Sequence, residues 1–125
     1  MQGSIITRVT LAEEVIPVKD ALVTVTMEEA EKEILIAALK TDENGKTEQV
    51  FLNTPDTAYS LNPDNPIKPY SSVNVRVDHP GAYSVIVRGA QVFPDTVSLV
   101  NISLIPLGEG VTEGNEIIEI TAQEL

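Results

Sequence analysis

The chain of 125 residues has no cysteine, no tryptophan and a single histidine, and its other aromatics are three tyrosines and two phenylalanines. Without cysteine there is no disulfide framework, no thiolate metal site and no cysteine nucleophile. The lone His79 sits in "DHPG" and has no second histidine with which to build a zinc set, so it reads as a turn residue. No HExxH, no GxSxG and no glycine-rich loop leading into a helix is present. Basic charge is scarce as well. Eight Lys and Arg stand against 19 Asp and Glu, for a net charge of −11. Such a surface repels a nucleic-acid duplex or an anionic membrane, which argues against either as a partner. No apolar run approaches the ~20 residues of a membrane span. The start, "MQGSIITRVTL", has no basic region ahead of an apolar core. The expectation is a non-secreted protein or a domain cut from a longer chain.

What the chain does have is alternation. Ile5, Thr7, Val9 and Leu11 share one face of "SIITRVTL". Ala21, Val23, Val25 and Met27 alternate with Leu22, Thr24 and Thr26. In "SVNVRVD", Val73, Val75 and Val77 point one way while Asn74, Arg76 and Asp78 point the other. Tyr83, Val85 and Val87 follow the same rule, as do Val100, Ile102 and Leu104. A period of two with β-branched residues marks strands with one buried and one wet face. "EEAEKEILIAALK" is rich in helix formers. A strand over Ile34 to Lys40, entered by a charged turn at Glu28 to Lys32, fits its neighbours better.

Breakers separate these runs: Pro17, "DENG", the loop from Asn53 to Pro69 with four prolines, "HPG" and "FPD". Proline fixes φ and removes a donor, so that loop reads as a stiff crossover. About seven strands so punctuated predict an all-β fold, a two-sheet antiparallel β-sandwich. At this length one domain buries roughly two thirds of its unfolded surface. The domain is assigned to residues 1–107. Residues 108–125, "GEGVTEGNEIIEITAQEL", are a tail that acts as a linker or an edge strand.

Candidate chemistry is thin. "DENG" looks like the first half of a calcium loop, but the twelfth position from Asp42 is Asn53, not a bidentate glutamate. Asn44-Gly45 is instead a strong hairpin-turn signal. No catalytic, cofactor or metal residue is assigned. Tyr59 and Tyr70 flank the proline loop and are the only candidates for ligand contact, as platforms for a sugar ring.

The ordered segments "IPVKDALVTVT", "LKTDENGKTEQVFL" and "YSSVNVRVDHPGAYSVIVRGAQVFP" resemble the carboxypeptidase regulatory-like, or transthyretin (prealbumin)-like, β-sandwich domain. Its proline-led strand, TDxxG turn and PGY break are present as Pro17 to Val23, Thr41 to Gly45, and Pro80 to Tyr83 with Ala82 inserted. From Gly3 to Leu107 the chain is also similar to the N-terminal domain of Firmicute spore cortex-lytic enzymes and related peptidoglycan-binding proteins. The resemblance implies a non-catalytic accessory domain in the spore or cell envelope. Its partners would be neighbouring domains or envelope proteins and peptidoglycan, and the alternative is a peptidoglycan- or carbohydrate-binding module. Pilin-type sandwiches join a lysine on the first strand to an asparagine on the last. Here those places hold Arg8, whose guanidinium stays protonated, and Asn101, so no such bond is expected.

Overall fold

The computed structural model describes residues 2–11, 16–29, 31–54, 70–107 and 117–121, and no helix occurs among them. The strands are β1 (Gln2–Leu11), β2 (Ile16–Pro17), β3 (Leu22–Glu29), β4 (Lys32–Lys40), β5 (Val50–Asn53), β6 (Ser71–Asp78), β7 (Ser84–Val92), β8 (Val97–Ser103) and β9 (Ile117–Thr121). These nine exceed the seven or so expected by two. β2 is a pair of residues too short to show a period, and β9 comes from the tail.

Two sheets form a β-sandwich. In the first, β1 is central. β8 runs along one side of it from Ser4 to Thr10, while β5, an isolated Arg8–Lys46 bridge and β2 share the other side. The second sheet has the order β4-β3-β6-β7-β9. The sandwich was expected to be antiparallel, but β1–β8 and β7–β9 are parallel. Alternation tells a residue which face to take. It carries nothing about the direction of a neighbour that arrives from the far end of the chain.

The inward sets read from the sequence fill the space between the sheets. Ile5, Val9, Val100, Ile102 and Leu104 come from the first sheet or its end. Val23, Val25, Val73, Val75, Val77, Val85 and Val87 come from the second, and all are buried. Tyr83, placed inward by alternation, is only half-buried. At that point the chain bends so that the Tyr83 N–H donates to the Ile105 carbonyl. The strand expected at Ile34 to Lys40 is part of β4, but the charged turn before it is shorter than expected. Glu28 and Glu29 stay in the ladder opposite Glu33 and Lys32, and Glu31 turns the chain at φ 64°. A bulge then places Ile36 outside the β3–β4 register.

"DENG" turns the chain as expected, but it does not close a hairpin. β4 lies in the second sheet and β5 in the first, so this turn carries the chain between layers. The Asp42 carboxylate accepts the N–H groups of Asn44 at 2.8 Å and Lys46 at 3.1 Å. Gly45 takes φ 77°, and its carbonyl accepts the Val9 N–H at 2.7 Å. A backbone docked this closely on β1 leaves no room for a side chain.

Candidate functional site

Even-numbered residues of β1 face outward, and β8 matches them in parallel register. The rows are Ser4–Val97, Ile6–Leu99, Arg8–Asn101 and Thr10–Ser103. On the other flank Phe51 stands opposite Ser4, Lys46 opposite Arg8 and Pro17 opposite Thr10. Paired residues on neighbouring strands share a face. The outer face of the first sheet therefore carries Phe51, Val97 and Leu99 together, exposed by 60%, 55% and 54%. Between them lies Ser4, which is buried; its hydroxyl receives the Gln49 side-chain amide at 2.7 Å.

The outer face of the second sheet is mainly polar, and its exposed apolar residues, Leu22, Leu35 and Ile117, are spread over β3, β4 and β9. Thr24, Thr26, Asn74, Arg76, Asp78, Ser84 and Arg88 lie along it. Arg76 and Ser84 hydrogen-bond the Asp78 carboxylate. Burial pushes that carboxyl up, but the hydrogen bonds from Arg76 and Ser84 and the Arg76 charge together hold it below its ordinary range. Arg88 reaches Glu119 on β9 at 2.9 Å, and this pair raises the guanidinium above its usual value.

Two shallow depressions flank the Ile6–Leu99 row. One, of about 290 Å³, is lined by Ser4, Gln49, Phe51 and Val97 among others. The second, of about 350 Å³, is lined by Arg8, Pro17, Asn44, Lys46 and Leu99. Arg8 and Lys46 are in no ion pair with a described carboxylate. The Asn101 Oδ1 beside Arg8 is buried without a described partner. A wider groove of about 620 Å³ runs past the "DENG" turn, but its walls mix Lys19, Lys40 and Lys46 with Asp20, Asp42, Glu43 and Glu48. Its charges offset one another, as the 3.9 Å Lys19–Glu43 pair illustrates.

Of the two tyrosine candidates, Tyr59 lies outside the described residues, as does most of the proline loop. Tyr70 is half-buried and packs on Phe93, with ring centroids 5.4 Å apart and planes at 54°. A ring committed to that contact is not an open platform. His79 closes the β6–β7 turn, its carbonyl accepting the Ala82 N–H. Phe51, Val97, Leu99 and Lys46 were not picked out from the sequence. One signal for them was available: Leu99 is a large apolar residue on the predicted wet side of its strand.

No protein-family model matches the chain, and no curated protein does. Among solved structures it is similar to a 3-chlorocatechol 1,2-dioxygenase from Rhodococcus opacus 1CP, with a TM-score of 0.49 and 13% identity. That alignment covers 84% of this chain and 61% of the dioxygenase chain.

Proposed function

We propose that this domain is a non-catalytic interaction module whose contact surface is the outer face of the first sheet. The observation that carries the reading is the grouping of Phe51, Val97 and Leu99, each more than half exposed, on one sheet face. Contiguous exposed apolar surface on a soluble domain marks a place where another molecule sits. The setting of that contact, among spore-cortex or cell-wall proteins and in a transthyretin-like fold, rests on the resemblance of the Pro17–Val23, Thr41–Gly45 and Pro80–Tyr83 segments.

The test has two arms. Incubation with purified peptidoglycan should release no sugar or peptide ends, and binding to the insoluble material should be weak at low and moderate salt. An environment-sensitive apolar dye should bind the protein and lose most of its signal in a Phe51→Ser/Leu99→Ser variant that retains its melting temperature. Hydrolysis would end the non-catalytic reading. Tight, saturable glycan binding lost in Tyr70→Ala or Tyr59→Ala would replace it with a carbohydrate-binding module.

A further inference from the structure

Sheets expose edges, and this sandwich guards all but one of its described edges. β4 carries Lys32, Glu33 and Lys40 and a bulge. β9 has Glu119 at its centre, β5 is four residues long, and β2 is two residues ending in Pro17. Charges, bulges, proline and shortness are the usual devices against unwanted strand pairing. β8, "VSLVNIS", has seven residues with no charge, no proline and an unbroken register on β1. Its inward ladder uses the even-numbered amides, as the bonds from Ser4 N–H to Thr96 C=O and from Leu104 N–H to Thr10 C=O require. The backbone groups of Val97, Leu99, Asn101 and Ser103 therefore point to the open edge, where no described strand pairs with them.

The same residues present their side chains on the apolar outer face, and one strand inward from Asn101 stands Arg8. Arg8 has no described acid to pair with, although the chain carries 19 acids. Its neighbour on the other side is Lys46, a second cation. On a chain of net charge −11 this is a local positive point beside an open edge.

We infer that the free edge of β8 accepts an extended segment of a partner protein as an added strand. That segment carries a glutamate opposite Asn101 and apolar side chains opposite Leu99 and Val97. The inference rests on the outer face being the contact surface. Residues on one face of a strand repeat every ~7 Å, the spacing of the Asn101, Leu99 and Val97 rows. The glutamate is placed by reach. Adjacent strands lie ~4.8 Å apart, so an acid on the added strand stands ~10 Å from Arg8 at the backbone. An extended guanidinium and a glutamate span that distance across the short Asn101, where the fork of Arg8 meets a carboxylate with two hydrogen bonds. Main-chain pairing supplies the bulk of such an interaction, and the side-chain rows set its register. The chain's net charge of −11 disfavours segments with many further negative charges, so specificity is for a single acid in an apolar frame.

The probe is a short fluorescein-labelled peptide in which a glutamate is followed at alternate positions by two valines, with threonines between. Anisotropy titration should show saturable binding, with the backbone amides of Val97, Leu99, Asn101 and Ser103 shifting in NMR spectra. Replacing the peptide glutamate by lysine, or making Arg8→Gln, should each weaken binding about tenfold, the scale of one charge-assisted pair. Leu99→Pro removes an edge donor without touching the β1 ladder and should abolish binding. If that variant fails to fold, Leu99→Glu should do the same by repulsion. Binding that ignores peptide charge and Arg8, leaves the edge amides unmoved and falls in Phe51→Ser would overturn strand addition while keeping the outer face as the contact surface. No binding by either peptide would overturn the inference alone, since the dye measurement reads the face independently. Sedimentation showing a dimer with the β8 amides protected before peptide is added would make a second copy the occupant, and would equally overturn it.

Discussion

The Thr41 hydroxyl donates a 2.6 Å hydrogen bond to the carbonyl of Val18, 23 residues away in the chain. The same oxygen accepts the Ala21 N–H at 3.0 Å, and Thr41 is only 3% exposed. One buried side chain thus satisfies two main-chain groups in the segment between β2 and β3. Thr41→Val keeps the volume but leaves both groups unpaired. A loss of about 2–4 kcal/mol is expected, since each buried orphan costs ~1–3 kcal/mol. Urea denaturation of the two proteins measures it, and a loss under about 0.5 kcal/mol would mean water replaces the hydroxyl.

Val75 and Val85 lie at the centre of the core with no exposed surface. Truncating either to Ala should cost about 2–4 kcal/mol through lost burial and the cavity left behind. Leu35→Ala, on a side chain that is mostly solvent-exposed, should stay within about 0.5 kcal/mol. Equal losses at Val75 and Leu35 would contradict the placement of the core.

Gly45 and Gly81 both hold positive φ, but only Gly45 faces backbone, at the Val9 carbonyl. Gly81→Ala should cost about 1–2 kcal/mol, the penalty of a left-handed backbone alone. Gly45→Ala should cost clearly more, because the turn must also retreat from β1. Thermal melts of the two variants rank them, and the reverse order would be wrong for this docking.

Asp78 links stability to pH. Its carboxyl is held below the ordinary value of 3.8, with burial opposed and outweighed by Arg76 and Ser84. A lowered folded-state value stabilises the protein above the unfolded value, and that contribution disappears as pH falls through the folded one. Wild type should therefore exceed Asp78→Asn in stability at about pH 7, with the gap closing as pH falls below the ordinary carboxylate value of 3.8. The carboxylate is partly exposed, so the gap is small and shrinks with salt. A gap that widens on acidification would have the wrong sign.

Arg8 and Asn101 are register partners on β1 and β8. Proximity alone does not join them, because a protonated guanidinium is no nucleophile. The intact mass should equal that of the sequence, and a deficit of one ammonia would show a cross-link.

Residue identity along each strand was enough to sort inward from outward. Val73, Val75 and Val77 alternate with Asn74, Arg76 and Asp78, and a β-strand of that pattern can bury only one of the two sets. The turn at Asp42–Gly45 was equally readable, since its hydrogen bonds form within five residues. Its destination was not. Whether β5 pairs with β4 or crosses to the other sheet depends on which edge is free when the layers pack, and no local pattern records that. The candidate site shows the same division. Leu99 on a wet face was visible in the sequence, but its company was not. Apart from Val97, two residues away on the same strand, that company is long-range: Ile6 meets Leu99 only because β1 and β8 pair in parallel, and Phe51 joins them only because β5 pairs with β1. Local alternation is a property of neighbouring residues, whereas an interaction surface is made by strands brought together through long-range burial, and only the tertiary structure decides which strands those are.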